Sequence, residues 1–318
     1  MIVGCGNIGS RHLQALTKLP FVMRIDIVEP NKDAQTLAKL RLNEIPYDAT
    51  KINFVWHESI KELKNESDIV IVATNAAGRV DIINQLLESG HSRFLVEKVV
   101  CQSTDEYNLL LSKLKSFNAK GWVNTNRRYF QTYQKIKEFF ENSKIIHLSV
   151  IAGNIGLGTN AIHYIDLFSW LVNDNKIKLN GEFLINKLFP NKRGKDFVEF
   201  AGTIIGATNA DSSLTLTSLP YDNMPSIVNI VTENKNLMID ETNEKILDLI
   251  NRNDHHFEYK FEHASSLTTK IVMDILEKDD CLLPTINDLS HAHKELFRTF
   301  NAHIKKVINE ERKLCPIT

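Results

Sequence analysis

The sequence predicts an α/β protein, with an N-terminal doubly wound parallel sheet and a C-terminal α+β domain carrying a large, mostly antiparallel, open-faced sheet. Three observations predict it. Short apolar runs alternate with helical periods over the first 123 residues. A Gly-x-Gly-x-x-Gly turn, Gly4-Cys5-Gly6-Asn7-Ile8-Gly9, joins the first run to the first helix. Beyond residue 123, strand-like stretches follow one another without intervening helices. The division is therefore placed at 1–123 and 124–318.

The first strand is Met1-Ile2-Val3, and Leu13, Leu16 and Leu19 then recur at helical spacing until Pro20 stops the run. Three residues at ~3.3 Å each span about 10 Å, short for the buried central strand of such a sheet, which points to a few residues upstream of Met1. Residues 24–28 form the second strand and 52–56 the third. Ser59 and Glu62 make a capping box that opens a helix. The run 69–73 is apolar throughout, as a strand covered on both faces requires. After Thr74-Asn75, a helix turns Val80, Ile83, Leu86 and Leu87 to the sheet. Residues 94–96 lead into Glu97-Lys98, a second capping box runs from Ser103 to Glu106, and Trp122-Val123 is the last strand of this half. In the second half, 145–151 is a strand and 160–172 a helix. The alternating stretches 197–205, 213–218, 227–232 and 237–240 supply further strands.

The chain has 318 residues, 43% hydrophobic and 24% charged, enough for two domains with sizeable cores. A net charge of −1 provides no bulk basic field, which argues against nucleic acid or an anionic membrane as main partner and favours a small molecule. No apolar run of 18 residues or secretory signal pattern occurs. Cys5, Cys101, Cys281 and Cys315 lie far apart with no CxxC pair, so they read as reduced thiols of a cytoplasmic protein, with Cys101 a small buried filler. No metal site is expected. His291 and His293 are i, i+2 on a helix and point apart, and His255-His256 reads as a solvated pair in a polar turn.

The glycines acquire meaning from their setting. Gly4 permits the tight turn, Gly6 lets the backbone of Asn7 and Ile8 approach a pyrophosphate, and Gly9 allows close helix packing. Glu29 stands 20 residues beyond Gly9 at the end of the second strand, where a carboxylate accepts hydrogen bonds from a ribose. It repels a 2′-phosphate, which favours NAD over NADP, although Lys32 opposes that preference. The first half is thus a Rossmann-type dinucleotide-binding domain.

Ligands of open α/β sheets sit outside the carboxyl ends of the strands, so Thr74, Asn75, Glu97, Lys98 and Asn126 are expected to face one crevice. A partly desolvated Lys98 beside a positive nicotinamide ring can exchange a proton with a hydroxyl; a solvated lysine paired with Glu97 is the structural alternative. His163 and Asp166, at i, i+3, form either an acid/base or substrate-binding pair or a satisfied histidine in a packed helix. Arg127 and Arg128 can grip a substrate carboxylate or phosphate, or pair with an acid.

Together, the Gly4–Gly9 turn with Arg11-His12, Glu97-Lys98, Asn126-Arg127-Arg128 and the glycine-rich approach to His163-Tyr164-Ile165-Asp166 resemble the glucose-fructose oxidoreductase and inositol dehydrogenase family, Gfo/Idh/MocA. The resemblance implies an NAD-dependent oxidoreductase acting on a sugar, sugar derivative or polyol. Lys98 and His163 would be catalytic, with Asn126, Arg127, Arg128, Thr159, Asn160 and Asp166 around the substrate. It further implies homodimers or homotetramers built through the open sheet. Three positions depart from the family. Val99 replaces the proline of Glu-Lys-Pro, and because a non-proline cis bond costs ~3–4 kcal/mol, a trans bond is expected there. Thr159 replaces an aspartate, and Arg79 replaces a histidine. These departures resemble members acting on nucleotide-linked or surface-polysaccharide sugars. Two alternatives remain open: an NAD-using glycosidase that oxidises its sugar transiently, and a non-catalytic NAD-binding regulator.

Overall fold

The computed structural model describes residues 1–251 and 264–318, with side chains from 266 onward in the second span; His255 and His256 lie outside the described residues. The chain divides into two units. Unit 1 comprises Met1–Cys101, Asp105–Asn126 and Glu262–Asn287, and unit 2 comprises Gln102–Thr104, Arg127–Phe261 and Asp288–Thr318.

Unit 1 begins with β1 (Ile2–Val3), α1 (Gly9–Leu16), β2 (Met23–Val28), α2 (Lys32–Leu42) and β3 (Ile52–His57). It continues through β4 (Val70–Val72), α3 (Arg79–Glu88), β5 (Arg93–Val96), α4 (Thr104–Ser116) and β6 (Lys120–Val123). The six strands run in the order β3-β2-β1-β4-β5-β6, and every pairing is parallel. This is the doubly wound arrangement, with the order reversing beside β1. Ile2, Ile71, Val72, Phe94 and Leu95 are buried in the sheet, and Val80, Ile83, Leu86 and Leu87 of α3 are buried as the periodicity requires. Although β1 is only two residues long, Gly4 N–H donates to Val28 O and Ala73 N–H to Val3 O, so the ladder extends past it on both sides. The Ser59 capping box does not open an α-helix. Ser59 Oγ accepts from Lys61 N–H, but the turn that follows is a 3-10 turn, Ile60–Glu62, which ends where Leu63 becomes extended.

Unit 2 holds α5 (Gln131–Phe140), β7 (His147–Gly153), α6 (Leu157–Val172), β8 (Lys178–Asn180), β9 (Phe189–Pro190), β10 (Val198–Glu199) and β11 (Gly202–Ala207). It then adds β12 (Ser213–Leu219), β13 (Ile227–Val231), β14 (Asn236–Asp240) and β15 (Lys245–Asp248). Seven strands form one sheet in the order β15-β14-β13-β7-β12-β11-β8; only β7 and β12 pair in parallel. Strand residues alternate between faces. Leu148, Val150, Leu214, Leu216, Val228, Ile230, Leu237 and Ile239 are buried, while Ile151 and Ile205 are exposed. The stretch 197–205 splits into two strands because Gly202 adopts φ +101°, and a Cβ there would lie 2.5–2.8 Å from the backbone of 183–185.

The tail contributes α7 (Ala264–Lys278) to unit 1 and α8 (Ser290–Ile308) to unit 2. A single division at residue 123 therefore gives way to a discontinuous one, and the reason lies in packing. Helix α7 lies on α1, where Thr269 Oγ1 donates to Ala15 O at 2.8 Å. The segment after it lines the β6 edge: Val123 N–H donates to Pro284 O, Ile286 N–H to Gly121 O, and Trp122 Nε1 to Asp280 Oδ1. The free edge strand of the parallel sheet is covered in this way.

Candidate functional site

In unit 1, the glycine turn has the shape that its residue types require. Gly4 takes φ +83°, and a Cβ on Gly9 would lie 1.9 Å from Gly4 O, so neither position accepts a side chain. A Cβ on Gly6 would meet nothing within 4 Å, so the turn presents bare backbone to open space. Beyond it, Ser10 N–H donates to Gly6 O and Ser10 Oγ donates to the same oxygen at 2.7 Å, which closes the turn onto α1. Bare backbone at a helix N-terminus suits a pyrophosphate, so the residues present fit a dinucleotide.

Glu29 is buried, and backbone amides reach both of its oxygens. Cys5 N–H donates to Oε2 at 2.7 Å and Asn31 N–H to Oε1 at 2.9 Å. The carboxylate thus ties the turn to the end of β2, and a carboxylate oxygen retains a second lone pair for a ribose hydroxyl. Burial, reinforced by the Glu29 charge, pushes the Cys5 thiol up to about 12, so it stays protonated and inert. Lys32 is paired with Glu58.

At the ends of β4 and β5, Thr74 is half-buried and Asn75 exposed, whereas Glu97 and Lys98 are both buried. Glu97 Oε1 accepts from Asn124 Nδ2 at 2.5 Å and lies 3.1 Å from His12 Nε2. Burial raises the Glu97 pKa, but the hydrogen bond and charge of His12, with the Asn124 amide, outweigh it and hold the carboxyl at about 2. An ionised carboxylate only accepts, so His12 Nε2 carries a proton toward Glu97, and His12 Nδ1 lies 2.8 Å from Thr268 Oγ1. Arg79 is fully buried, and its guanidinium donates to the carbonyl oxygens of Thr74, Glu97 and Val99. The Lys98–Val99 bond is cis, which corrects the expected trans geometry; the carbonyls on either side of Lys98 both point to the one guanidinium.

In unit 2, α6 starts three residues earlier than the sequence suggests, because a distant carboxylate caps it. Glu199 of β10 accepts from Gly158 N–H at 2.8 Å, from Thr159 Oγ1 and from Asn191 Nδ2 at 3.1 Å. Thr159 and His163 are one turn apart on α6, both half-buried. Asn160 N–H donates to Gly156 O. Asp166 is fully buried and accepts from Arg128 Nε at 3.0 Å and Nη2 at 2.5 Å. Arg127 stacks over the Tyr164 ring at 4.0 Å and pairs with Glu241 at 3.3 Å; Glu241 also accepts from Tyr133, Tyr164 and Ser226. Both arginines are thus ion-paired within their own unit. Asn126, in unit 1, is half-buried at the start of a 3-10 turn. His291 and His293 bond to different carbonyls, Ile177 O and Leu289 O. Among the described residues, no cluster of three His, Cys, Asp or Glu could hold a metal ion, and no helix is long and apolar enough to cross a membrane. Sequence reasoning missed Glu199, for which no local signal exists 40 residues from Thr159, and did not foresee the carbonyl contacts of Arg79.

Residues 1–125 match the family described as oxidoreductase family, NAD-binding Rossmann fold, GFO_IDH_MocA. A curated relative, the uncharacterized oxidoreductase YrbE of Bacillus subtilis (strain 168), is 24% identical over 144 residues, 45% of this chain; the match spans 40% of the relative's length. Solved structures align over nearly the whole chain. UDP-N-acetylglucosamine 3-dehydrogenase GnnA from Acidithiobacillus ferrooxidans is similar with a TM-score of 0.69 at 14% identity, covering 98% of this chain and 96% of that one. An oxidoreductase from Agrobacterium radiobacter, crystallised with NAD+, L-tartaric acid and magnesium, gives 0.70 at 11% identity, covering 97% and 95%. The glycine turn, the strand order and the family match agree: residues 1–125 form a Rossmann domain that matches the NAD-binding Rossmann fold of the Gfo/Idh/MocA oxidoreductase family.

Proposed function

We propose that this protein is an NAD-dependent dehydrogenase or reductase of a sugar or sugar derivative, with nucleotide-linked sugars of surface-polysaccharide synthesis as the first class to test. The observation that carries the reading is the open glycine turn braced by Glu29, with Lys98 at the end of β5 in the same sheet. When bound, NAD accepts or donates the hydride. Lys98 takes the proton of the sugar hydroxyl as the hydride leaves the same carbon, and His163 orients that hydroxyl. Glu199, hydrogen-bonded to Thr159 one turn before His163, brings a carboxylate to the first turn of α6, where the helix itself has none. Carboxylates are strong acceptors for hydroxyl groups, which supports a polyhydroxylated substrate.

A screen of nucleotide sugars, free sugars and sugar acids for a change in NADH absorbance tests the reading. Turnover with net NADH formation or consumption supports it. Hydrolysis of a glycoside with tightly retained NAD and no net NADH would replace it with the glycosidase alternative. NAD binding with no turnover of any member would favour the regulator. The alternating, half-exposed sheet face with Ile151 and Ile205 supports a homo-oligomer, which light scattering at micromolar concentration would overturn by returning a monomer mass.

A further inference from the structure

Helix α2 carries Arg41 in its last turn to the side of the glycine turn. Arg41 Nη1 donates to Asn7 O at 2.7 Å and to Ser10 Oγ at 2.6 Å, and Nη2 donates to Asn7 Oδ1 at 3.3 Å. Through Ser10, which donates on to Gly6 O, the guanidinium grips two successive residues of the turn and the first turn of α1.

The neighbouring basic residues differ in one respect. Arg11 pairs with Glu44, Arg24 with Asp26 and Lys32 with Glu58. Among the described residues, every acceptor of Arg41 is uncharged. Its positive charge therefore stands beside the N-terminal end of α1, which is itself positive, an arrangement that becomes favourable when an anion occupies the turn. Three hydrogen bonds leave two of the five guanidinium donors for further acceptors.

We propose that Arg41 is a cofactor-binding residue that fixes the Asn7 carbonyl and supplies the cationic charge for the pyrophosphate of NAD. The inference rests on the NAD-binding reading of the turn. Sequence spacing does not reveal it, because Arg41 lies 34 residues from Asn7 in the chain.

Calorimetric titration of the full chain with NAD and with adenosine, at low and high NaCl, separates the possibilities. Arg41→Gln keeps a donor for the turn but removes the charge, and Arg41→Met removes both. The expected result is NAD binding weakened roughly 10- to 100-fold in each variant, with a smaller salt dependence and unchanged affinity for adenosine. Native-like NAD affinity in Arg41→Gln would overturn the proposal, as would an equal loss of adenosine binding, which marks a purely structural residue. Should Arg41→Met fail to fold, Arg41→Gln and the salt dependence of the native chain still decide. A native chain that binds no NAD would overturn the NAD reading itself, and the proposal with it.

Discussion

The guanidinium of Arg79 donates to the carbonyl oxygen of Val99, 20 residues away, and the same group holds the carbonyls of Glu97 and Thr74. One buried cation thereby joins the carboxyl ends of β4 and β5, on either side of Lys98. Replacing it with methionine strands several buried carbonyls, each costing about 1–3 kcal/mol. Arg79→Met is expected to lose on the order of 3–5 kcal/mol in urea unfolding. Arg79→Lys should recover only part of the loss, because an ammonium cannot span three carbonyls as a planar fork does. A loss below about 1 kcal/mol would show that the contacts are dispensable.

Glu29 should make NAD bind more tightly than NADP. Because its oxygens also receive the amides of Cys5 and Asn31, Glu29→Ala should weaken NAD while narrowing the difference between the two cofactors. Calorimetry with both cofactors measures this directly. Equal or tighter NADP binding by the native chain would defeat it.

Lys98→Met should lose about 10²–10⁴-fold in turnover with NAD affinity nearly unchanged, whereas His163→Ala should lose both turnover and substrate affinity. Single-turnover kinetics on the substrate found by the screen will distinguish the two. A fully active Lys98→Met variant would transfer the proton role to His163.

The Glu97 carboxyl is held at about 2, below its ordinary 4.5, so the unfolded chain binds this proton more readily than the folded one. Its contribution to stability is fully present above about pH 4.5 and is lost as pH falls toward about 2. Glu97→Gln should flatten the fall in stability across that window. The comparison is made by urea unfolding at pH 5, 4 and 3, and parallel curves for both chains would refute it.

Much of unit 1 was legible because its signals are local. Apolar strands, helical periods and the glycine spacing each sit within a dozen residues, and the sheet order follows from their alternation. Features that depend on remote partners were not legible. The tail segment joins unit 1 through Thr285 opposite Trp122, and Glu199 caps α6 from β10; neither leaves a periodic trace. The 197–205 stretch reads as one strand until Gly202 is forced against the backbone of 183–185. In the candidate site, the turn and Glu29 come together as their spacing implies. Asp166, three residues beyond His163 on α6, accepts the Arg128 guanidinium, which is the pairing with an acid that the sequence left open for that arginine.

The return of α7 and the segment after it to unit 1 sets an order of events at the ribosome. Translation delivers residues 1–126 well before 264–287, so the nascent NAD-binding domain waits with the α1 surface bare and the β6 edge unpaired. Residues 127–261 of unit 2 are synthesised during that interval, and 288–318 only after it. A fragment ending at residue 123 would keep that open edge permanently and would tend to self-associate, whereas one that splices 264–287 back onto 1–126 would bury it.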